Sequence, residues 1–152
     1  MPTAAFPSVI AGVVTFTAGV LPAARVVRGR DISMDPDDVV MIGVLADDEP
    51  GRDSAGSFEQ FMQTFGGARE EIGEVNGLIV SRNGDGDQAL ACDTAFDYLA
   101  ILESAVRSNP TLGLTGFDYV VAELASGQVI ESQNDEGAET TLPFTITYKI
   151  RI

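Results

Sequence analysis

The chain has 152 residues, a formal net charge of −14, one cysteine and no histidine. This length fits a single domain over residues 1–152, which buries roughly 70% of its unfolded surface, and a lone cysteine excludes an intrachain disulfide and favours synthesis in a reducing cytoplasm. The missing histidine excludes Ser-His, Cys-His and histidine–metal sites, and the acidic charge disfavours nucleic-acid binding, whose affinity comes mostly from Lys and Arg.

The first predicted element is a short helix near the N-terminus. Val9, Val13 and Phe16 follow helical spacing after Pro7, and the helix is expected to end by Pro22. The same apolar stretch has no basic segment before it and is interrupted by glycine, threonine and proline. It therefore fits neither a signal peptide nor a membrane span, and no membrane partner is expected.

The middle of the chain alternates predicted strands with an acidic loop. Arg25–Arg28 and Val39–Ala46 are predicted strands, and the second is apolar on both faces, as in a central strand. Asp47–Gly56 combines Pro-Gly with four acids and predicts a loop. Phe58–Phe65 is ambiguous but favours a strand, and Ile72–Ser81 is a further predicted strand.

The second half predicts one long helix and the rest of the sheet. Gln88–Ser108 has a helical apolar stripe, and Phe117–Ala125 and Gln128–Ser132 predict a hairpin around a short glycine turn. Thr141–Ile152 alternates strictly, and Pro143 indicates that this strand begins at, or lies along, a sheet edge. The sum is an α+β fold, a mostly antiparallel sheet of about five or six strands packed by one long and one short helix.

A glycine-rich segment before the long helix imitates two ligand-binding motifs. Its Gly-x-Gly sequence resembles a dinucleotide fingerprint, but Asp85 and Asp87 would face the pyrophosphate. Asn83 and these two acids imitate a calcium loop, in which Gln88 stands where glycine is required. We interpret the segment as a turn in which Asp87 caps the helix, with weak calcium binding as the alternative, and predict no cofactor and no metal site.

The remaining reactive groups favour a protein that is not an enzyme. Cys92 has no histidine to activate it, and a small packing residue is a better interpretation than a reactive thiol. Adjacent acids are interpreted as solvated surface rather than as an acid/base pair. These acid pairs are Asp37-Asp38, Asp47-Asp48 and Glu70-Glu71.

Several segments, taken in order, resemble one protein family over nearly the whole chain. They are the N-terminal helix, Arg25-Val26-Val27, Ala68–Gly73, Ser81–Asp85, Asn109–Gly113 and Ile146–Ile152. This series resembles the tail terminator proteins of long-tailed bacteriophages, especially those of actinobacterial phages. The resemblance implies a non-enzymatic virion subunit, made in the host cytoplasm, that forms a homohexameric ring on the tail tube protein.

The resemblance also implies the ring's other contacts. The ring would end tail polymerisation, join the tail to a head-side connector or stopper protein, and let DNA pass without specific binding, since acids facing the lumen repel phosphates. The acidic loop is expected to order only against a neighbouring ring, and some of its following phenylalanines to pack across the subunit interface or, alternatively, within the subunit. The expected interface residues are Arg25, Arg28, Asp47, Asp48, Arg52, Phe58, Phe61, Phe65 and Arg69.

Other functions stay open at the level of sequence. A different neck component, either a stopper or a head-completion protein, is the nearest alternative, although the long helix favours the terminator. A small regulatory binding module would be a stable monomer with one exposed apolar patch. A small-molecule enzyme would need a deep apolar cavity that holds a buried carboxylate.

Overall fold

The computed structural model of the chain describes residues 3–31, 33, 37–46, 51–62, 67, 69–117 and 119–152, without the side chain of Tyr119. Within these residues the chain forms two helices and seven strands. They are α1 (Phe6–Val20), β1 (Arg25–Arg28), β2 (Val39–Ile42), β3 (Gly56–Met62), β4 (Arg69–Asn83), α2 (Gln88–Ser108), β5 (Tyr119–Ser126), β6 (Ile130–Asn134) and β7 (Gly137–Arg151).

All seven strands belong to one sheet, built around two long central strands. β4 and β7 each have 15 residues and pair antiparallel over almost their whole length. β2 and β3 lie one after the other along the free side of β4, and β1 adds a parallel pair beyond β2. β5 and β6 lie one after the other along the other side of β7. The predicted α+β fold is confirmed, with seven strands rather than five or six.

Both helices cover the same face of the sheet, which we call the helix face. β7 places alternate apolar residues on it, as the sequence predicts, while the residues between them are less buried. The buried members of this row are Leu142, Phe144, Ile146, Tyr148 and Ile150. α2 has the predicted bounds and begins after Asp87, whose carboxylate accepts the N–H of Leu90 at 3.0 Å, so the predicted cap is confirmed.

The opposite face of the sheet, which we call the outer face, carries a smaller apolar cluster. Val39 and Met41 of β2 pack there with Leu78 and Val80 of β4. β2 is therefore buried on both faces and lies between β1 and β4, as predicted for a central strand. It ends at Ile42 rather than at Ala46, because the next residue is a glycine with a φ of +89°, which breaks the extended backbone.

The predicted hairpin of Phe117–Ala125 with Gln128–Ser132 is wrong. β5 and β6 run in the same direction, since both pair antiparallel with β7. The actual hairpin joins β6 to β7, where Asn134 pairs with Gly137 across a two-residue turn. The local pattern of two strands around a glycine does not specify which strand each one pairs with.

Pro143 does not mark a sheet edge, as its position had indicated. It lies inside β7 opposite Leu78 of β4. Its carbonyl accepts the Ser126 hydroxyl at 2.9 Å and therefore points towards β5 and β6. The N–H and C=O of a strand residue point to the same side, so the N–H that proline lacks would also have pointed there. The ladder is interrupted at this point: it stops at Ser126 and resumes at Ile130.

Two further predictions concern β3 and the segment before it. Phe58–Phe65 favours a strand, and this is confirmed over Gly56–Met62, whereas Phe65 lies outside the described residues. The first residues of the predicted loop Asp47–Gly56 also lie outside them, and its last residue begins β3. Neither described helix has the length and apolar character that crossing a membrane requires.

The central strand pair depends on glycines that make room for aromatic rings. Gly77 of β4 faces Phe144 of β7, and a Cβ on Gly77 would lie 2.3 Å from the ring's Cζ. We expect Gly77→Ala to lower the free energy of unfolding by about 1–3 kcal/mol in urea denaturation, because the buried ring must move. Gly84→Ala is the matched control, since nothing lies within 4 Å of its added Cβ. Equal stabilities of the two variants would contradict this account.

Candidate subunit interface

A buried carboxylate ties together three elements of the fold. Glu71 of β4 is fully buried on the helix face. Its Oε1 accepts the backbone N–H of Ala5 at 3.0 Å and the side-chain amide of Gln60 at 2.9 Å, and its Oε2 accepts the hydroxyl of Tyr148 at 2.8 Å. These bonds connect the start of α1, the β3 strand and the β7 strand through one side chain.

Glu71 also acts as the N-terminal cap of α1. The residue at the cap position is Ala5, whose side chain accepts no hydrogen bond. The carboxylate of Glu71 accepts the backbone N–H of this cap residue and places a negative charge at the positive end of the helix. The residues before α1 are held as well, because the carbonyl of Thr3 accepts hydrogen bonds from the side chains of Gln60 at 2.7 Å and Arg69 at 3.4 Å. The start of α1 is thereby fixed across β3 and β4.

The interpretation of the acid pairs as solvated surface is wrong for Glu71 and incomplete for Asp38. Successive residues of a strand point to opposite faces, so Glu70 lies on the outer face, 3.2 Å from Lys149, while Glu71 is buried. Asp38 is half-buried and accepts the hydroxyl of Tyr98 at 2.8 Å and the backbone N–H of Arg82 at 2.9 Å. Asp47-Asp48 lies outside the described residues.

Near the start of α1, which Glu71 holds, α1 and β3 form an exposed apolar surface, which we call the α1–β3 face. The rings of Phe6 and Phe58 stack with their centroids 5.9 Å apart, and Phe58 is 50% exposed. Beside them runs an open groove of about 540 Å³. Its lining residues are Phe6, Pro7, Ile10, Ala11, Val14 and Arg28. Arg28 is the single charged residue of this lining, and the groove is otherwise apolar.

β3 extends the apolar surface to an open sheet edge. Among the described strands, β3 pairs with β4 alone, so its other backbone edge is unpaired. Phe61 is 49% exposed on the outer face, and Met62 is 76% exposed on the helix face. An unpaired edge with exposed apolar side chains is a common site of strand pairing with another chain.

The structure brings together part of the predicted interface. Arg28, Phe58 and Arg69 lie at the α1–β3 face, and Phe61 lies on the outer face of the same strand, β3. Arg25 lies elsewhere: it forms an ion pair with Asp31 and a hydrogen bond with the Ser33 hydroxyl at 2.8 Å. Arg52 is exposed outside the strands. Asp47, Asp48 and Phe65 lie outside the described residues.

The contribution of α1 to the α1–β3 face was not predicted from the sequence. Phe6, Ile10 and Val14 recur every four residues and form a second apolar stripe beside the buried residues Val9 and Val13. A helix that is apolar around most of its circumference packs on more than one partner. This second stripe is the signal that indicated an interface.

The reactive groups of the described chain serve the fold. Asn83 accepts the backbone N–H of Asp85 at 3.0 Å and of Asp87 at 3.3 Å, which makes the glycine-rich segment a closed turn. No group of three potential metal ligands converges in the part of the chain that the structure describes. Burial, followed by the charges of Glu131 and Asp93, raises the pKa of the Cys92 thiol, which lowers its thiolate fraction and favours the packing interpretation.

Replacing Glu71 should destabilise the protein according to the acceptors it loses. Glu71→Leu leaves the buried donors of Ala5 and Tyr148 without an acceptor and removes one of the two acceptors of the Gln60 amide, and we expect the free energy of unfolding to fall by about 3–5 kcal/mol. Glu71→Gln retains an acceptor for Ala5 and Gln60 and should cost about half as much. Urea denaturation of both variants measures this difference. If the two variants were equally stable, the carboxylate would not hold α1 as described.

Tyr98 gives a prediction for alkaline pH. Burial, the hydrogen bond to Asp38 and the charge of Asp38 raise its pKa to about 12. Because the folded pKa exceeds the unfolded value of about 10, the contribution to stability is present below pH 10 and is lost as the pH rises towards 12. We expect the free energy of unfolding to fall more steeply over this range in the wild type than in Tyr98→Phe. Parallel slopes in pH-dependent urea denaturation would contradict the prediction.

Comparison of the chain with protein-family models and with curated proteins found no match. The structure of the chain has an exposed apolar face on α1 and β3, which the buried carboxylate of Glu71 holds in place beside an open strand edge.

Proposed function

We propose that this protein is a structural virion subunit that forms a ring at the end of a long-tailed bacteriophage tail tube. The ring ends tail polymerisation and joins the tail to the head-side connector. The observation that carries the proposal is the exposed α1–β3 face beside the unpaired edge of β3. The resemblance of the sequence to tail terminators supplies the biological setting.

The charge of the chain sets this surface apart. A protein with a net charge of −14 repels copies of itself wherever acids are dense. The α1–β3 face has one charged lining residue, and that residue is Arg28. Contiguous exposed apolar surface with stacked aromatic rings is typical of protein-binding sites. The face therefore favours a protein partner over a small ligand.

The buried polar groups also favour a structural role. The carboxylates of Glu71 and Asp38 are hydrogen-bonded to other parts of the fold: Glu71 is fully buried, and Asp38 lines an open polar groove beside Arg25 and Arg82. A monomeric binding module would use the same α1–β3 face, and the self-association of the chain distinguishes it from a ring subunit.

The acidic charge suits a ring through which DNA moves. Six copies of a chain with a net charge of −14 create a strongly negative field inside a closed ring. DNA phosphates are repelled by such a wall, so the DNA passes without specific binding.

We expect the purified protein to form a species of about six subunits in light scattering at high concentration, in keeping with closed ring symmetry. Phe58→Asp should reduce this association at least tenfold, because it places an acid on the apolar face of an already acidic protein. Leu90→Asp is the matched control, since Leu90 is also half-exposed but lies on α2 away from this face.

Tail function is tested by adding the protein to polymerising tail tube protein from the same phage. A terminator should bind the tube end and limit further growth, and Phe58→Asp should do so less well than Leu90→Asp. Unchanged tube growth in the presence of the wild-type protein would rule out the terminator role, and a strict monomer that binds one non-tail protein would favour the binding module.

A further inference from the structure

A second groove, with both polar and apolar lining residues, lies on the opposite side of the sheet from β3. Among the described strands, β5 is the last on its side and pairs with β7 alone, so its outer backbone edge is open. A groove of about 420 Å³ runs between this edge and α2. Phe96, Leu99 and Glu103 of α2 form one wall, and the stretch from Leu124 to Val129 forms the other. We call this the β5–α2 groove.

The open part of the β5 edge is well defined. The carbonyl of Pro110 accepts the N–H of Ala122 at 2.8 Å, so a loop residue already occupies the edge at that position. The edge is accessible beyond it, from Leu124 to Ser126, where β5 is still paired with β7 on its other side. Grooves between an unpaired strand and a helix accept an extended segment as an added strand.

Apart from Glu103, which forms an ion pair with Arg107, the lining of this groove is uncharged and matches a partner that carries few charges. The sequence from Leu124 to Ile130 contains no charged residue in a chain with a net charge of −14. Phe96 is 44% exposed and Val129 is 47% exposed at the groove. β3 has the matching properties, because its seven residues include one acid, Glu59, and it exposes apolar side chains.

The topology gives β3 and β5 opposite directions. β3 is antiparallel to β4, β4 is antiparallel to β7, and β7 is antiparallel to β5. A neighbouring copy that is rotated about an axis parallel to the strands keeps the direction of every strand. Its β3 therefore meets the β5 of the first copy as an antiparallel pair, which is the more stable kind of strand pairing.

The two edges also lie at the same level of the sheet. Phe58 pairs with Gly73, Gly73 with Tyr148, and Tyr148 with Ala122, so one row of residues crosses the sheet from β3 to β5. A sideways neighbour that is shifted by about two residues along the strands places Gly56–Phe58 of its β3 beside Leu124–Ser126, clear of the position that Pro110 occupies, and sheets that close on themselves require such a stagger.

We propose that the β5–α2 groove of one copy binds the β3 strand of a second copy, so that one sheet continues from subunit to subunit. Phe58 lies on the helix face of β3, and in this pairing its side chain enters the groove against Phe96. The inference rests on the proposed function in one respect, because both require that the chain binds copies of itself. The contact is head-to-tail, which allows a ring to close.

The experiment is crosslinking of cysteine variants with a bifunctional maleimide. All variants carry Cys92→Ser, which removes the natural thiol. Glu59→Cys and Ala125→Cys place exposed thiols on the outer face of β3 and β5. The variant with both substitutions should form a ladder of covalent oligomers, because each subunit then links to two neighbours. Either substitution alone should give no ladder.

A matched control pairs Glu59→Cys with Ala89→Cys, an exposed position at the start of α2, and should not form the ladder. Phe96→Asp in the double-cysteine protein should weaken the ladder about tenfold or more, whereas Leu90→Asp should leave it unchanged. Circular dichroism of each variant confirms that it is folded. The Leu90→Asp result separates loss of the groove from a general effect of an added acid.

The outcomes separate this contact from the tail function. Dimers formed by Glu59→Cys alone would show β3 pairing with β3 and would overturn the proposal, as would oligomers without a ladder or a strict monomer. Tube capping without the ladder would overturn the docking surface and leave the proposed function in place. A ladder without tube capping would support the docking surface and count against the tail function.

Discussion

The arrangement of this protein depends on the burial of one carboxylate. Removing a charged group from water is costly unless hydrogen bonds replace its hydration, and Glu71 receives three such bonds from separate elements. Those bonds fix the start of α1 over β3, which is what places Phe6 on Phe58. The exposed α1–β3 face thus depends on the buried hydrogen bonds of Glu71. Its shape is defined because few other positions of α1 would keep those hydrogen bonds.

The side chains of the central strands β4 and β7 complement one another in size and in their hydrogen bond through Glu71. The two-residue period of β4 puts Glu71, Gly73 and Gly77 on the helix face. β7 places Tyr148 opposite Gly73 and Phe144 opposite Gly77, so each ring occupies space that a side chain on β4 would fill. Tyr148 then donates to Glu71, and burial together with that carboxylate raises the pKa of the tyrosine, which keeps its donor proton in place. Packing and hydrogen bonding in this region are therefore one arrangement.

Features that depend on residues close in the chain could be predicted from the sequence, whereas strand pairing and burial, which depend on distant residues, could not. The bounds of α2, its Asp87 cap and the alternation of β7 follow from local spacing. The pairing of β5 and β6 with β7, and the burial of Glu71, depend on contacts across the sheet that spacing does not encode. Phe58 and Phe61 were predicted as interface residues because three phenylalanines lie in one short segment that could form a strand edge, whereas Phe6 precedes the series Val9, Val13 and Phe16 from which the helix was predicted.

The distribution of charge bears on the contact proposed between the two open edges. In a strongly acidic chain, most random encounters between copies bring like charges together and are disfavoured. Uncharged residues from Leu124 to Ile130 and the nearly uncharged β3 strand lie on opposite sides of one sheet, at one level and with opposite directions. Contact between identical edges would join two β3 strands or two β5 strands and leave the other edge of each copy open. Contact between unlike edges uses both, and it can repeat around a ring until every β3 edge is paired with a β5 edge.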